Sequence, residues 1–240
     1  MARYVFSDLH GNYNLWKQIQ NHLTIGDIAF CLGDCIDRGD YGYEILRDIR
    51  EDKRIFMLRG NHEEFLMEYL RTRSRGDFEL WTCKQNGGYS TFVKLMENRD
   101  EDNFDDWYQW LRKLPQVAKL QNNSGKKIIL CHAGYDPFQA ETAKSVDYTW
   151  DRRHIFLPWR EDKYPDTIMI HGHTPVQNIR YAFKESGLAE CDIEIEELEH
   201  PTVLKYADGH KYCIDLGTPS SSTAALMDID TFEVIYFKGE

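Results

Sequence analysis

Asp8-Leu9-His10-Gly11, Gly33-Asp34-Cys35-Ile36-Asp37-Arg38-Gly39, Gly60-Asn61-His62-Glu63 and His171-Gly172-His173 follow one another along the chain, and each sets carboxylate, carboxamide or imidazole groups beside glycine. With His132, which follows an apolar run, the chain offers Asp8, His10, Asp34, Asn61, His132 and His173 as oxygen and nitrogen donors, with no thiolate among them. Such a set suits Mn²⁺, Fe, Zn²⁺ or Mg²⁺ at a catalytic centre better than a closed structural zinc. Two divalent ions roughly 3.5–4 Å apart are suited to hydrolysing phosphate esters, because they activate a water between them and neutralise the phosphoryl oxygens. Building that pair needs ligands from several strand ends, with one carboxylate shared. A protonated leaving group is the remaining requirement.

The elements around these residues have the rhythm to position them. Tyr4–Phe6, Ala29–Leu32 and Ile55–Leu58 are apolar runs that end at the first three segments, and Tyr13–Leu23 and Tyr43–Ile49 carry apolar residues at helical spacing between them. This alternation predicts βαβ units of a mainly parallel sheet, in which sites gather at strand C-termini. Residues 63–114 read as helical, broken at Arg75-Gly76-Asp77 and at Asn86-Gly87-Gly88. Beyond Pro115, strands are expected at Val117–Leu120, Lys127–Cys131, Thr167–Ile170, Val203–Tyr206, Tyr212–Ile214, Ala224–Asp228 and Phe232–Phe237, with Asp208-Gly209 as a hairpin turn. The expected fold is α/β, two mixed sheets packed face to face with helices outside, in one domain over residues 1–240. A helical insert at about 63–114 and a variable segment at about 176–211 are part of that expectation.

Composition narrows the class. A 240-residue chain with 42% hydrophobic residues can bury a sizeable core. Its net charge of −11, without a long Lys/Arg run, argues against nucleic-acid backbone or an anionic membrane surface as partner. No stretch approaches the ~18 apolar residues of a membrane span, and Met1–Phe6 enters a strand without a secretion signal. The six cysteines form no CxxC pair and are read as reduced thiols of a cytoplasmic protein, with Cys31 and Cys35 as the pair placed for redox chemistry. The acidic tract Glu190–Glu199 reads as a solvated edge strand or surface helix.

The first three segments resemble the signatures of the calcineurin-like metallophosphoesterases, and the full Gly-Asp-x-x-Asp-Arg-Gly form resembles the phosphoprotein phosphatase (serine/threonine phosphatase) family. Further matches are Trp81, Asn86-Gly87-Gly88, Leu114-Pro115, His132-Ala133-Gly134, Trp150-Asp151-Arg152, Gly172-His173-Thr174-Pro175 and Ile214-Asp215-Leu216-Gly217. That ensemble resembles the small bacterial and phage-lambda-type enzymes most. The resemblance implies that Asp8 and His10 hold a first metal, Asp34 bridges both, and Asn61, His132 and His173 hold the second. It implies His62 as general acid, oriented by Asp37, and Arg38 and Arg152 as grips on the phosphoryl oxygens. The implied reaction is in-line attack by a dimetal-bound hydroxide, with two divalent ions, Mn²⁺ foremost, as cofactors.

Two neighbours compete for these roles. His171 lies two residues from His173 but is expected behind the metals rather than on them, and Arg152 is preferred to Arg153 from its place after Trp150-Asp151. Ser7 stands where the commonest family pattern has Gly, a small-for-small change, and residues 176–211 are longer than the usual link. The expected activity is a phosphomonoesterase, foremost a serine/threonine protein phosphatase acting on a phosphorylated protein or small phosphate ester. The alternative is a symmetrical diadenosine tetraphosphate hydrolase, ahead of a phosphodiesterase or a non-catalytic phospho-binding relative.

Overall fold

A computed structural model describes residues 1–99, 103–135, 148–186 and 200–239. The chain begins β1 (Arg3–Phe6), α1 (Tyr13–His22), β2 (Ile28–Cys31), α2 (Gly42–Glu51), β3 (Ile55–Met57). Four helices follow: α3 (Asn61–Thr72), α4 (Arg75–Thr82), α5 (Tyr89–Glu97) and α6 (Phe104–Leu111). Then come β4 (Val117–Gln121), β5 (Lys127–Cys131), a 3₁₀ turn (Arg153–Phe156), β6 (Thr167–His171), α7 (Val176–Ser186), β7 (Leu204–Tyr206) and β8 (Lys211–Cys213). The chain closes with the short α8 (Thr218–Ser221), β9 (Thr223–Asp228) and β10 (Val234–Lys238).

The strands form two five-stranded sheets, ordered β10-β9-β1-β2-β3 and β4-β5-β6-β8-β7. β1, β2 and β3 are parallel to one another, as are β5, β6 and β8, while β9, β10, β4 and β7 run antiparallel to their neighbours. Side chains alternate between faces along each strand and so divide the interior. Val5, Leu32, Leu58 and Met227 of the first sheet pack against Ile128, Leu130, Ile168 and Ile170 of the second. The other face of the first sheet presents Phe6, Ala29 and Cys31 to Trp16 and Ile19 of α1 and Leu46 of α2. Each such large side chain contributes about 1.5–3 kcal/mol when removed from water. The architecture is therefore the expected pair of packed mixed sheets with helices outside.

Several local expectations shift. The break placed at Arg75-Gly76-Asp77 falls two residues earlier: Arg73 turns left-handed (φ 53°), and the Ser74 hydroxyl accepts from Asp77 N at 3.1 Å, so those three residues are the first turn of α4. Asn86-Gly87-Gly88 does separate α4 from α5. Ala207, Asp208 and Gly209, all at positive φ, form the turn between antiparallel β7 and β8. Phe232 is left-handed (φ 63°) and precedes β10 rather than starting it. The segment from 176 opens with α7, which the sequence pattern did not reveal; the tract 190–199 lies outside the described residues. Among the described residues no helix is long and apolar enough to cross a membrane.

Candidate metal centre

Five strands deliver the donor residues at their C-terminal ends. β1 runs into Asp8 and His10, β2 into Asp34, β3 into Asn61 and His62, β5 into His132, and β6 into His173. The loops interlock through the backbone: Asp8 N donates to Gly33 O (3.1 Å), His10 N to Asp34 O (3.0 Å), and Gly172 N to His132 O (2.8 Å). Reversing the chain this sharply puts Asp8, His10, Asp34, Asp37, Arg38 and His173 at φ between 43° and 70°. Left-handed backbone costs a non-glycine residue roughly 1–2 kcal/mol, and such strain concentrates at functional sites.

The loops bring donor atoms together in two groups, His10–Asp34–His62 and Asp34–His132–His173, each with its ligand atoms within 4.8 Å of one another. Asp34 is common to both: its carboxylate lies 3.7 Å from His10 Nε2 and 3.4 Å from His132 Nε2. Asn61 Oδ1 joins the second group, 2.9 Å from His132 Nε2 and 2.8 Å from His173 Nδ1. Asp8 falls outside both groups. Its carboxylate is buried beside them, accepting from the Ser7 hydroxyl (2.5 Å) and His173 N (3.1 Å). His10 and His132 each use Nδ1 on a main-chain carbonyl, Ile36 O (3.1 Å) and Leu32 O (3.0 Å), which turns Nε2 inward.

These residues fit a pair of divalent cations. His173 Nε2 is buried with no hydrogen-bond partner among the described residues. The surroundings carry a surplus of buried acid: burial, with Asp34 next to it, raises Asp8 to about 6, burial and Asp34 raise Glu63 to about 7, and burial with Asp8 pushes Asp215 well above the carboxylate range. For Asp34 burial opposes ionisation, yet His132, His62 and His10 outweigh it and hold the carboxyl well below its ordinary value. Burial likewise works against charge on His132, but Asp34, Asp8 and Glu63 raise it to about 10. His173 is pressed down to about 2 by burial and then by His132 and Arg152. Carboxylates that crowd one another and imidazoles forced to opposite protonation states mark a place built for added positive charge.

On the open side stand the remaining candidates. His62 Nδ1 donates to Asp37 Oδ2 at 2.8 Å, and the same oxygen accepts from Trp81 Nε1 at 2.8 Å. Asp37 N donates to the Thr91 hydroxyl (3.0 Å), and Arg38 N to Gly87 O (3.0 Å), so the Trp81 and Asn86-Gly87-Gly88 matches support the Asp37-Arg38 pair. The Arg38 guanidinium reaches His10 Nε2 (2.9 Å) and His62 Nε2 (3.1 Å). Arg152 is exposed and feels the charges of Asp215, Asp34 and Arg38, whereas Arg153 is held by Asp151 at 2.6 Å. His171 is spoken for at both nitrogens: Nδ1 donates to Gly172 O (3.0 Å) and Nε2 accepts from the Tyr206 hydroxyl (2.8 Å). Burial, with minor repulsion from Lys211 and His132, brings it down to about 3, a neutral ring behind the centre. Cys31 and Cys35 are unbonded thiols 3.1 Å apart, both fully buried beside the Asp34 loop.

Three supporting residues escape a reading of the sequence. Glu63 accepts from Asp34 N (2.8 Å), Cys35 N (2.9 Å) and Gly60 N (3.0 Å), tying two donor loops together. Its place after His62 was visible, its task was not. Glu64 accepts from the Thr149 hydroxyl (3.0 Å) and Trp150 Nε1 (3.2 Å), which brings the Trp150-Asp151-Arg152 segment to α3. Lys211 is the third, and only its tertiary setting distinguishes it from a surface lysine.

Three solved structures share the fold over nearly the whole chain. A candidate diadenosine tetraphosphatase is 13% identical with a TM-score of 0.62, covering 99% of this chain and 93% of its own. A cold-active protein tyrosine phosphatase is 15% identical with a TM-score of 0.62, covering 98% and 75%. A protein serine/threonine phosphatase from Saccharomyces cerevisiae is 14% identical with a TM-score of 0.51, covering 100% and 80%. Identities this low speak to the fold alone. Among curated proteins none matches the chain. The family model of the calcineurin-like phosphoesterases matches residues 1–212, in the region that carries every donor residue described above, and the chain belongs to that family.

Proposed function

We propose that this protein is a metal-dependent phosphomonoesterase, a serine/threonine protein phosphatase. The observation that carries the reading is the Asp37–His62 pair at 2.8 Å with the Arg38 guanidinium 3.1 Å from His62 Nε2, beside the shared Asp34 carboxylate. A proton donor and a guanidinium fork side by side match a dianionic monoester, which needs both its charge held and its leaving oxygen protonated. In this reading Asp8 and His10 hold one ion, Asn61, His132 and His173 the other, and Asp34 both. The family uses a dimetal centre; Mn²⁺ is our choice for it, and such ions supply Lewis-acid charge neutralisation and an activated water when bound.

The chain's own residues do the rest. Arg38 and Arg152 grip phosphoryl oxygens, Asn61 helps orient the ester, and His62 passes the proton on Nε2 to the departing alkoxide while Asp37 stabilises its imidazolium form. Beside His10 and Arg38 a hollow of about 300 Å³ opens to solvent, walled in part by Tyr13, Asp40 and Tyr41. An open, mostly uncharged approach of this kind supports a phosphorylated protein or small phosphate ester as substrate, without nucleic acid or membrane as partner. Cysteine usage supports a cytoplasmic setting.

The similarity to a candidate diadenosine tetraphosphatase over 99% of the chain favours, as second reading, symmetrical diadenosine tetraphosphate hydrolysis. One experiment separates the readings: metal-depleted protein, then Mn²⁺, assayed side by side on a phosphothreonine peptide, diadenosine tetraphosphate and a phosphodiester. The first reading expects silence without metal and fastest turnover of the peptide with it. Equal activity in chelator, or a preference for the dinucleotide, overturns it.

A further inference from the structure

Lys211, the first residue of β8, is only 3% exposed. Its ammonium donates to the carbonyls of His154 (2.5 Å) and Leu157 (2.8 Å) and lies 5.5 Å from the centre of the Tyr206 ring. Taking an ammonium out of water is expensive, and strong acceptors must replace the lost hydration. The two carbonyls described belong to one short piece of chain. His154 lies inside the 3₁₀ turn Arg153–Phe156 and Leu157 ends it, and the turn opens with Ile155 N donating to Arg152 O at 3.2 Å.

Arg152 therefore sits at the N-terminal edge of a turn that a cation rooted in the second sheet clamps from beneath. Its own guanidinium makes no side-chain hydrogen bond with the described residues, so its aim depends on where the turn places its backbone. The next residue is drawn aside, because Asp151 accepts from both Arg153 N (3.1 Å) and Arg153 Nε (2.6 Å). From the other flank, Glu64 on α3 holds Trp150 and Thr149. A long side chain with many rotamers is useful to a phosphate only if its base is fixed.

We infer that Lys211 is a positioning residue for Arg152: its buried ammonium fixes the 152–157 turn so that the guanidinium meets the phosphoryl group. This rests on the reading of Arg152 as a phosphate grip, and the test treats the two separately. The Mn²⁺-loaded protein and the variants Lys211→Met, Lys211→Gln and Arg152→Ala, with the Lys211→Met/Arg152→Ala double variant, are assayed on p-nitrophenyl phosphate. Inorganic phosphate binding is followed independently by calorimetry, and folding by thermal melts.

Arg152→Ala and Lys211→Met are each expected to raise KM and weaken phosphate binding about tenfold with kcat much less affected, as for loss of an interaction made with the bound anion. The double variant is expected to be no worse than Arg152→Ala alone, because both changes remove one interaction. Lys211→Gln, which keeps one donor, is expected to fall between parent and Met. Should Lys211→Met fail to fold, the Gln variant carries the same comparison in the Arg152→Ala background. An Arg152→Ala protein with unchanged KM overturns the grip and the inference with it. A raised KM in Arg152→Ala beside an unchanged Lys211→Met, or additive losses in the double variant, overturns the inference alone.

Discussion

Replacing His62 by Asn tests the proton donor directly. The ring is buried, Nδ1 is committed to Asp37 at 2.8 Å, and Nε2 lies 3.1 Å from Arg38 Nη2 and 3.9 Å from Asp34 Oδ2. Burial lowers the imidazole pKa and the Arg38 charge works the same way, but Asp34 and Asp37 together outweigh them and set the group above its ordinary value. A general acid contributes ~10²–10⁴ in rate, or about 3–5 kcal/mol of barrier, where the leaving group is a poor one. A nitrophenolate leaves without a proton, so the same change should cost less than about tenfold there.

The amide of Asn can place its Nδ2 where His62 Nδ1 now donates to Asp37, so the change removes the Nε2 acid while keeping that contact, and any loss of packing costs stability rather than selectivity. Comparing two substrates in one preparation removes that complication, since a reduced folded fraction lowers both rates equally. The measurement is kcat/KM on a phosphothreonine peptide and on p-nitrophenyl phosphate with saturating Mn²⁺. The ratio of the two should change by at least tenfold. Equal losses on both would refute the acid and return His62 to the status of a ligand of the His10–Asp34 group.

Three other perturbations probe different parts of the molecule. Glu63→Gln sets an amide NH₂ against main-chain donors that now meet a carboxylate; stability should fall by about 1.5–3 kcal/mol, roughly 2–4 °C of Tm for each, and metal affinity by ~10–100-fold in calorimetric titration. Unchanged melting and affinity would show that the loops stand without it. Arg38→Gly releases a residue held at φ 65° with an exposed side chain; the variant should melt no lower than the parent while phosphate inhibition weakens, and a drop of several degrees would deny the strain. Asp27 accepts from the Thr24 hydroxyl (2.6 Å), Ala2 N (2.8 Å) and Thr24 N (3.0 Å), which together hold it at about 2. Because the folded value lies below the unfolded one, this stabilisation is complete above pH ~4 and disappears as the pH falls through about 2. Asp27→Asn should therefore lower Tm at pH 7, and a gap of the same size in melts at pH ~2 would contradict the linkage.

The parts of this fold that were legible in the sequence are those where chemistry and strand ends coincide. Phe6, Cys31 and Met57 end β1, β2 and β3, the apolar runs of the sequence end at or one residue past them, and Asp8, Asp34 and Asn61 lie just beyond, so strand order and donor order could be read together. The expected two-sheet packing rested on the run of strands beyond Pro115; the division of the core shows only in the structure, where Val5 and Phe6 face opposite cores. What stayed hidden depends on partners distant in sequence. Glu64 acquires its role from Thr149 and Trp150, 85 and 86 positions away, and Lys211 from His154 and Leu157. Nothing near either residue hints at those contacts. The misplaced break at Arg75-Gly76-Asp77 has a local cause: the glycine looked like an interruption, while the stop was Arg73 in the left-handed region and the restart was Ser74 acting as a cap.

The glycines of the motifs have a purpose that a list of ligands conceals. A Cβ at Gly60 would lie 2.3 Å from Asp34 Oδ1, and one at Gly172 would lie 2.1 Å from Asp8 Oδ2. Neither glycine is at positive φ, so conformational freedom is not what the positions require. They clear space for carboxylates that belong to other strands, and those carboxylates are aimed by residues that do sit at positive φ, Asp8 and Asp34 themselves. Strained donors and empty neighbours are thus two halves of one arrangement: the backbone turns the acid inward, and the missing side chain across the gap lets it arrive. A methyl group at position 60 or 172 would therefore press first on the opposing aspartate, displacing the carboxylate from the centre even though every donor residue remained in the chain.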